Sequence, residues 1–160
     1  MLKKMIVTAS LLLALPVSAT DLLAATPPHI AANSKDYSAS QFIIKENRAY
    51  CSIETLSSMM GALNSWVFKD EQSVHFITHF SKKGDSDEFY TWFTRSKKVE
   101  IMSKQGGEEK IKNITMKHQT VVSKDGEILI PLRDAILALG KSIEWESKSN
   151  TITITGKITY

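Results

Sequence analysis

The chain has 160 residues, of which 42% are hydrophobic and 23% are charged, and its formal net charge is +3. These values are ordinary for a soluble globular protein, and the length suits one modest domain, or two small interlocked repeats, with a real core. The single cysteine, Cys51, excludes an intramolecular disulfide.

Residues 1–19 have the pattern of a secretory signal peptide. Lys3 and Lys4 precede an apolar run at 5–15, and small residues at 17–19 form a cleavage site. A weaker cleavage site at residues 23–25 and a retained N-terminal anchor are the alternatives. The apolar run is shorter than the roughly 20 residues of a membrane helix, so we expect no membrane span after cleavage.

Signal cleavage also changes the charge argument. It would remove two lysines and leave 18 basic and 17 acidic residues. A nearly neutral chain of this kind does not favour nucleic acid as a partner.

The next stretch, residues 20–40, is rich in Ala, Pro and Ser and has no hydrophobic periodicity, which predicts a flexible leader. A first structural unit follows at about 42–80. It begins with a strand, continues with a helix that Ser52 caps, and ends in a hairpin that contains Trp66. Its helix carries an apolar stripe of Ile53, Leu56 and Met60.

Residues 88–116 predict three strands, at 88–94, 98–103 and 110–116, with a hairpin turn at Gly106-Gly107. We expect them to complete the sheets on which the helices pack. A second unit at about 121–156 then has a strand, a helix from Pro131 to a terminating Gly140, and a hairpin. Its apolar residues are spaced as a helical stripe and then in alternation: Leu132, Ala135, Ile136 and Leu139, then Ile143, Trp145, Ile152 and Ile154.

The two units match each other at an offset of 79 positions. Gly61 corresponds to Gly140, Trp66 to Trp145 and Cys51 to Ile130. This correspondence favours an internal duplication. The predicted fold is α+β, with two repeats of strand, short helix and β-hairpin whose antiparallel sheets pack on the helices, and each tryptophan is expected to seal a helix against its hairpin.

The second unit resembles a known family. Residues 125–133 (DGEILIPLR), 138–140 (ALG) and 143–145 (IEW) are similar to the repeat of the copper amine oxidase N-terminal-like domain, also called the stalk domain. The resemblance implies a non-catalytic α+β module over residues 41–160, of a kind common on secreted and cell-envelope proteins of bacteria. Copper and the quinone cofactor belong to other domains of those oxidases, so the resemblance implies no cofactor, catalytic residue or metal ligand here.

Two residue types could still carry chemistry. Cys51 stands at an apolar strand position, which favours a buried small hydrophobe over a nucleophile or a dimer cysteine. His75 and His79 share a strand face about 13 Å apart, which is too far for one metal ion, and the sequence does not show a third ligand. A small secreted hydrolase that uses Cys51, or a metal-binding protein, is therefore the alternative function.

A mixed aromatic and basic set is the candidate ligand surface. Such a surface would suit an anionic wall polymer or a peptide strand, whereas the alternative places the aromatic rings in the core. The set comprises Tyr90, Trp92, Arg95, Lys97 and Lys98.

Arg133, one step past Pro131 and Leu132, also has two interpretations. It either pairs with Asp134, Glu144 or Glu146 or reads a carboxylate ligand, and the structural pairing is the expected one.

We predict an exported non-enzymatic binding or structural module, secreted or attached to the bacterial cell envelope. A cell-wall polymer or another envelope protein is the expected kind of partner.

Overall fold

The computed structural model describes residues 28–62, 64–68, 73–79 and 86–158. The predicted signal peptide at 1–19 lies outside these residues. Two α-helices are described, α1 (Ile53–Met60) and α2 (Leu132–Ala138). The strands are β1 (His29–Ala32), β2 (Lys35–Tyr37), β3 (Phe42–Lys45), β4 (Arg48–Cys51), β5 (Asn64–Phe68), β6 (Ser73–His79), β7 (Ser86–Phe93), β8 (Lys98–Gln105), β9 (Glu108–Thr115), β10 (Val121–Val122), β11 (Ile128–Pro131), β12 (Ser142–Glu146) and β13 (Thr151–Thr155).

The strands form three sheets, with the orders β12-β13-β1-β2, β10-β11-β4-β3 and β5-β6-β7-β8-β9. Every pairing is antiparallel except that of β1 with β13, which is parallel. Mostly antiparallel sheets with two helices make an α+β fold, as the sequence predicts. The order hairpin, helix, hairpin occurs at β3–β4, α1 and β5–β6, and again at β10–β11, α2 and β12–β13.

Helix α1 begins and ends where the sequence predicts. The Ser52 side chain accepts a hydrogen bond from the backbone N–H of Thr55, which satisfies one of the free donors of the first turn. Gly61 ends the helix in the left-handed conformation. The predicted stripe of Ile53, Leu56 and Met60 is buried.

Helix α2 follows the buried strand β11 without a break. Pro131 is the last residue of the strand and directly precedes the helix, where its missing N–H costs no intrahelical hydrogen bond. Gly140, with φ of +69°, follows the last turn as predicted. Leu132, Ala135 and Ile136 are buried, so the helical stripe faces the core.

The core lies where the two helices meet the central sheet. Strands β4 and β11 pair there, and Cys51 lies directly opposite Ile130 in the ladder. Both side chains are buried, in one cluster with Leu56, Ile136 and Trp92. The middle of the fold is thus built by residues from both halves of the chain.

The N-terminal strands correct the prediction of a flexible leader at 20–40 for residues 28–40, while residues 20–27 lie outside the described residues. Residues 29–32 and 35–37 form β1 and β2, and Ser38 caps a short 3-10 helix at 39–41. Ile30 and Ala32 are buried because β1 pairs in parallel with β13, which aligns Ile30 with Ile152. A partner more than a hundred residues away leaves no local sequence signal.

The middle strands complete one sheet and not two. Strands β7, β8 and β9 extend the β5–β6 hairpin, next to which α1 lies, while β1 and β2 extend the β12–β13 hairpin. Gly106 and Gly107 form the predicted two-residue turn, and both have positive φ. Neither helix in the described ranges is long and apolar enough to cross a membrane.

Candidate functional site

A groove of about 850 Å³ is lined by residues of the β3–β4 hairpin, the start of α2, and β12 and β13. We call it the Trp145 groove. Its volume is in the range of small-ligand sites, about 300–1,000 Å³. Its apolar lining includes Ile44, Ala49, Leu132, Ile143, Trp145 and Ile152, and its cations are Arg48, Lys117 and Arg133.

The apolar wall on β12 and β13 follows from strand alternation. Ile143 and Trp145 project to the same face of β12, and the antiparallel register places Trp145 opposite Ile152. Ile154, one step along on that face, is buried, whereas the side chain of Trp145 is 50% exposed. The face therefore continues from the core into the open groove and ends at an indole ring.

The opposite wall comes from the β3–β4 hairpin. Ile44 lies opposite Ala49 in the ladder, so both project to the same face. The turn at Glu46 and Asn47 has positive φ at both positions, and Arg48 Nη1 lies 3.0 Å from Glu46 Oε2. Ile44 is 51% exposed although it lines the groove, so apolar surface meets solvent on both walls.

Asp134, at the start of α2, is buried and is bound by His118. One oxygen, Oδ2, accepts hydrogen bonds from the backbone N–H of His118 at 2.5 Å and from its Nδ1 at 2.9 Å. This carboxylate fixes the loop before β10 against the helix.

Arg133 does not make the ion pair that the sequence predicts, and this is a correction. Asp134 pairs with His118, and neither Glu144 nor Glu146 pairs with Arg133. Lys117, which also lines the groove, likewise has no salt bridge in the part of the chain that the structure describes. Two cations at the groove, Lys117 and Arg133, therefore have no counter-ion among the described residues.

Residues 110–160 match the family described as copper amine oxidase N-terminal domain. That part of the chain is similar to this family. No curated protein and no solved structure matches the chain. The copper amine oxidase N-terminal domain is the non-catalytic part of those oxidases, and its match here begins in β9 and includes α2, β12 and β13. It thus contains Trp145 and Arg133, whereas Ile44 lies outside it.

Cys51 lies outside the copper amine oxidase N-terminal domain match but packs against it. Burial, and to a smaller extent the nearby Glu127 carboxylate, raise the pKa of its thiol from 9.0 to about 12. A thiol that stays protonated at neutral pH is a weak nucleophile. The position therefore fits the expected buried hydrophobe.

The histidine pair can be followed only at His75, because the side chain of His79 lies outside what the structure describes. Nε2 of His75 is 2.8 Å from the Ser73 hydroxyl and Nδ1 is 2.8 Å from the Thr91 hydroxyl. In the described ranges no three His, Cys, Asp or Glu residues come together as a metal site.

The aromatic and basic candidate set is divided between core and surface. Trp92 and Tyr90 are buried, with their rings stacked 6.5 Å apart. Arg95 and Lys97 are exposed at the β7–β8 turn, and Lys98 Nζ lies 5.0 Å from the centroid of the Phe93 ring. Lys98 is half-buried and also forms an ion pair with Glu100. Ligand binding by this set stays a prediction, with Arg95 and Lys97 as its exposed part.

The expected equivalence of the two tryptophans needs correction. Trp66 lies opposite His75, on the face of its sheet that also carries Thr91, whereas Val74 and Trp92 project to the buried face. Trp145 instead shares its face with Ile152 and Ile154. Neither indole seals a helix, because Trp66 is 38% exposed and Trp145 is half exposed.

Sequence reasoning did not find the Trp145 groove. The apolar alternation of Ile143 and Trp145 was assigned to the scaffold, and nothing local shows that Ile44 lines the same space. The one usable signal was Arg133, for which a carboxylate ligand was already the alternative.

Proposed function

We propose that this protein is an exported, non-catalytic binding module of the bacterial cell envelope and that the Trp145 groove holds its ligand. The family match supports the non-catalytic character. The signal-peptide pattern at residues 1–19 supports export.

The observation that carries the binding role is the exposure of large apolar side chains on both walls of the groove. Trp145 and Ile44 belong to different sheets and line the same cavity. Contiguous apolar surface in contact with water is unfavourable, and it commonly marks a site that a ligand or partner covers. A tryptophan with both an apolar ring and an N–H group is a typical anchor of such sites.

We also propose that the domain is a duplication in which only the second copy kept a groove. The repeated order of hairpin, helix and hairpin and the direct pairing of Cys51 with Ile130 support this origin. In the first copy the hairpin register turns Trp66 to the polar face, which removes the ring from the corresponding position.

The proposal is tested by expressing the full chain in a bacterium and separating wall, membrane and medium. We expect the exported protein to lack residues 1–19 by intact mass and to bind purified cell-envelope material, either wall polymer or envelope protein. Trp145→Ala should weaken that binding, while Trp66→Ala, which also removes an exposed indole, should not. Protein retained in the cytoplasm would refute export, and equal effects of the two variants would refute the groove.

A further inference from the structure

We infer that the ligand of the Trp145 groove is an extended peptide segment that carries a carboxylate next to an apolar side chain. This inference rests on the proposed function, because it names the ligand class of the same site. Three features of the groove support it: its positive charge, its apolar lining and the two edge strands in its walls.

Charge complementarity indicates the carboxylate. The groove presents Arg133 and Lys117, neither with a salt-bridge partner among the described residues, while the buried Asp134 is bound by His118. Glu144 is the other acid at the groove, but it neighbours Trp145 in β12 and so projects to the opposite face of that strand. A planar guanidinium at the edge of an apolar surface matches a carboxylate in geometry as well as in charge.

The apolar lining favours a peptide over a wall polymer. Ile44, Leu132, Ile143, Trp145 and Ile152 provide a surface that a hydrophilic phosphate or sugar chain would leave uncovered. An apolar side chain beside the carboxylate would bury this surface while the charge stays at the rim.

The strands that bear Ile44 and Trp145 are both edge strands of their sheets. Within the described residues β3 pairs only with β4, and β12 pairs only with β13. One side of each edge strand therefore has backbone N–H and C=O groups that can form hydrogen bonds with a further strand. An extended segment can satisfy these groups by adding as a further strand, which makes a peptide the matching ligand.

The test uses three acetylated peptides with a C-terminal amide, Val-Thr-Val-Thr-Leu-X, in which X is Glu, Gln or Lys. Calorimetric titration of the exported chain should give binding of the Glu peptide at least about threefold tighter than that of the Gln peptide, since an exposed ion pair contributes modestly. The Lys peptide should bind most weakly.

Three variants show which residues contribute to binding. Arg133→Gln should remove the difference between the Glu and Gln peptides. Arg95→Gln, an exposed cation outside the groove, is the matched control and should keep the difference. Trp145→Ala should weaken all three peptides.

The inference is overturned if none of the peptides binds, if the Glu and Gln peptides bind equally, or if Arg133→Gln keeps their difference. These outcomes are separable from failure of the proposed function. Binding to wall material that depends on Trp145, without binding of any peptide, would retain the groove and reject the peptide class.

Discussion

Asn33 and Gly156 are joined by a hydrogen bond of 2.9 Å although 123 residues separate them. Asn33 Oδ1 accepts from the backbone N–H of Gly156, and its Nδ2 donates to the carbonyl of Met59 at 3.0 Å. The residue lies in the β1–β2 turn with φ of +51°, a conformation that asparagine tolerates better than most residues. One side chain thus ties together the N-terminal hairpin, the end of α1 and the segment after β13.

Asn33→Ala should lower the free energy of unfolding by more than Asn47→Ala. Both asparagines have positive φ, but among the described residues only Asn33 makes side-chain hydrogen bonds to other elements. The excess should be about 1–3 kcal/mol, because partly buried polar groups would lose their partners. Urea unfolding of the two variants measures this difference in the free energy of unfolding. Equal losses of stability would contradict the role of Asn33 in joining the three segments.

The buried position of Ile30 predicts that the N-terminal strand is part of the folded unit. Ile30→Ala should cost about 2–5 kcal/mol, as expected for a fully enclosed side chain. Ile43→Ala, on the exposed part of β3, should cost much less. Thermal unfolding followed by circular dichroism measures both. Equal melting temperatures for wild type and Ile30→Ala would restore the flexible-leader prediction.

The thiol of Cys51 should be inert in the native protein. At about pH 8 we expect labelling by a disulfide reagent to be slow in buffer and fast in urea, because the thiol is buried and protonated in the folded state. Rapid labelling of the folded protein would instead support the hydrolase alternative.

The same thiol should make stability depend on pH in alkali. Its folded pKa of about 12 lies above the ordinary 9.0, so the folded state keeps a proton that the unfolded chain loses. The free energy of unfolding is therefore full below about pH 9 and falls as the pH rises toward 12. Cys51→Ala should reduce this fall in urea titrations at about pH 8 and pH 10.5. Tyr90, whose pKa is also raised by burial and by Glu88, is common to both proteins and cancels in the comparison.

Neighbouring charges at the start of α2 should differ sharply in their effect on stability. Asp134→Asn should cost about 1–3 kcal/mol, because the buried acceptor of two hydrogen bonds from His118 is weakened. Arg133→Gln should stay within about 0.5 kcal/mol, since its guanidinium is exposed and makes no ion pair. A large loss on Arg133→Gln would show a structural partner for it and weaken the binding role.

The sequence was informative where the signal is local. Three boundaries were predicted from residues that act within a few positions, and each is confirmed. They are the helix start at Ser52, the helix end at Gly140 and the hairpin turn at Gly106-Gly107. The errors concern pairings between distant segments. Strand β1 depends on β13, and the environment of Trp66 depends on its pairing with His75, whereas Trp145 pairs with Ile152.

The candidate site was predictable only in part for the same reason. Arg133 was identified as a possible carboxylate reader from its place beside Pro131. Whether Arg133 pairs with Asp134 depends on His118, which lies in a separate loop and binds the Asp134 carboxylate. A groove with walls at residues 44 and 145 requires the tertiary structure before it can be seen at all.

The parallel pairing of β1 with β13 sets an order of events during synthesis. His29 aligns with Thr151, so the first described strand can close its sheet only after the last described strand has been synthesised. Until then the edge of β1 that pairs with β13 has no partner, although the β1–β2 hairpin can already form. The β12-β13-β1-β2 sheet is therefore the part of the fold that forms last, after the other two sheets already have all of their strands.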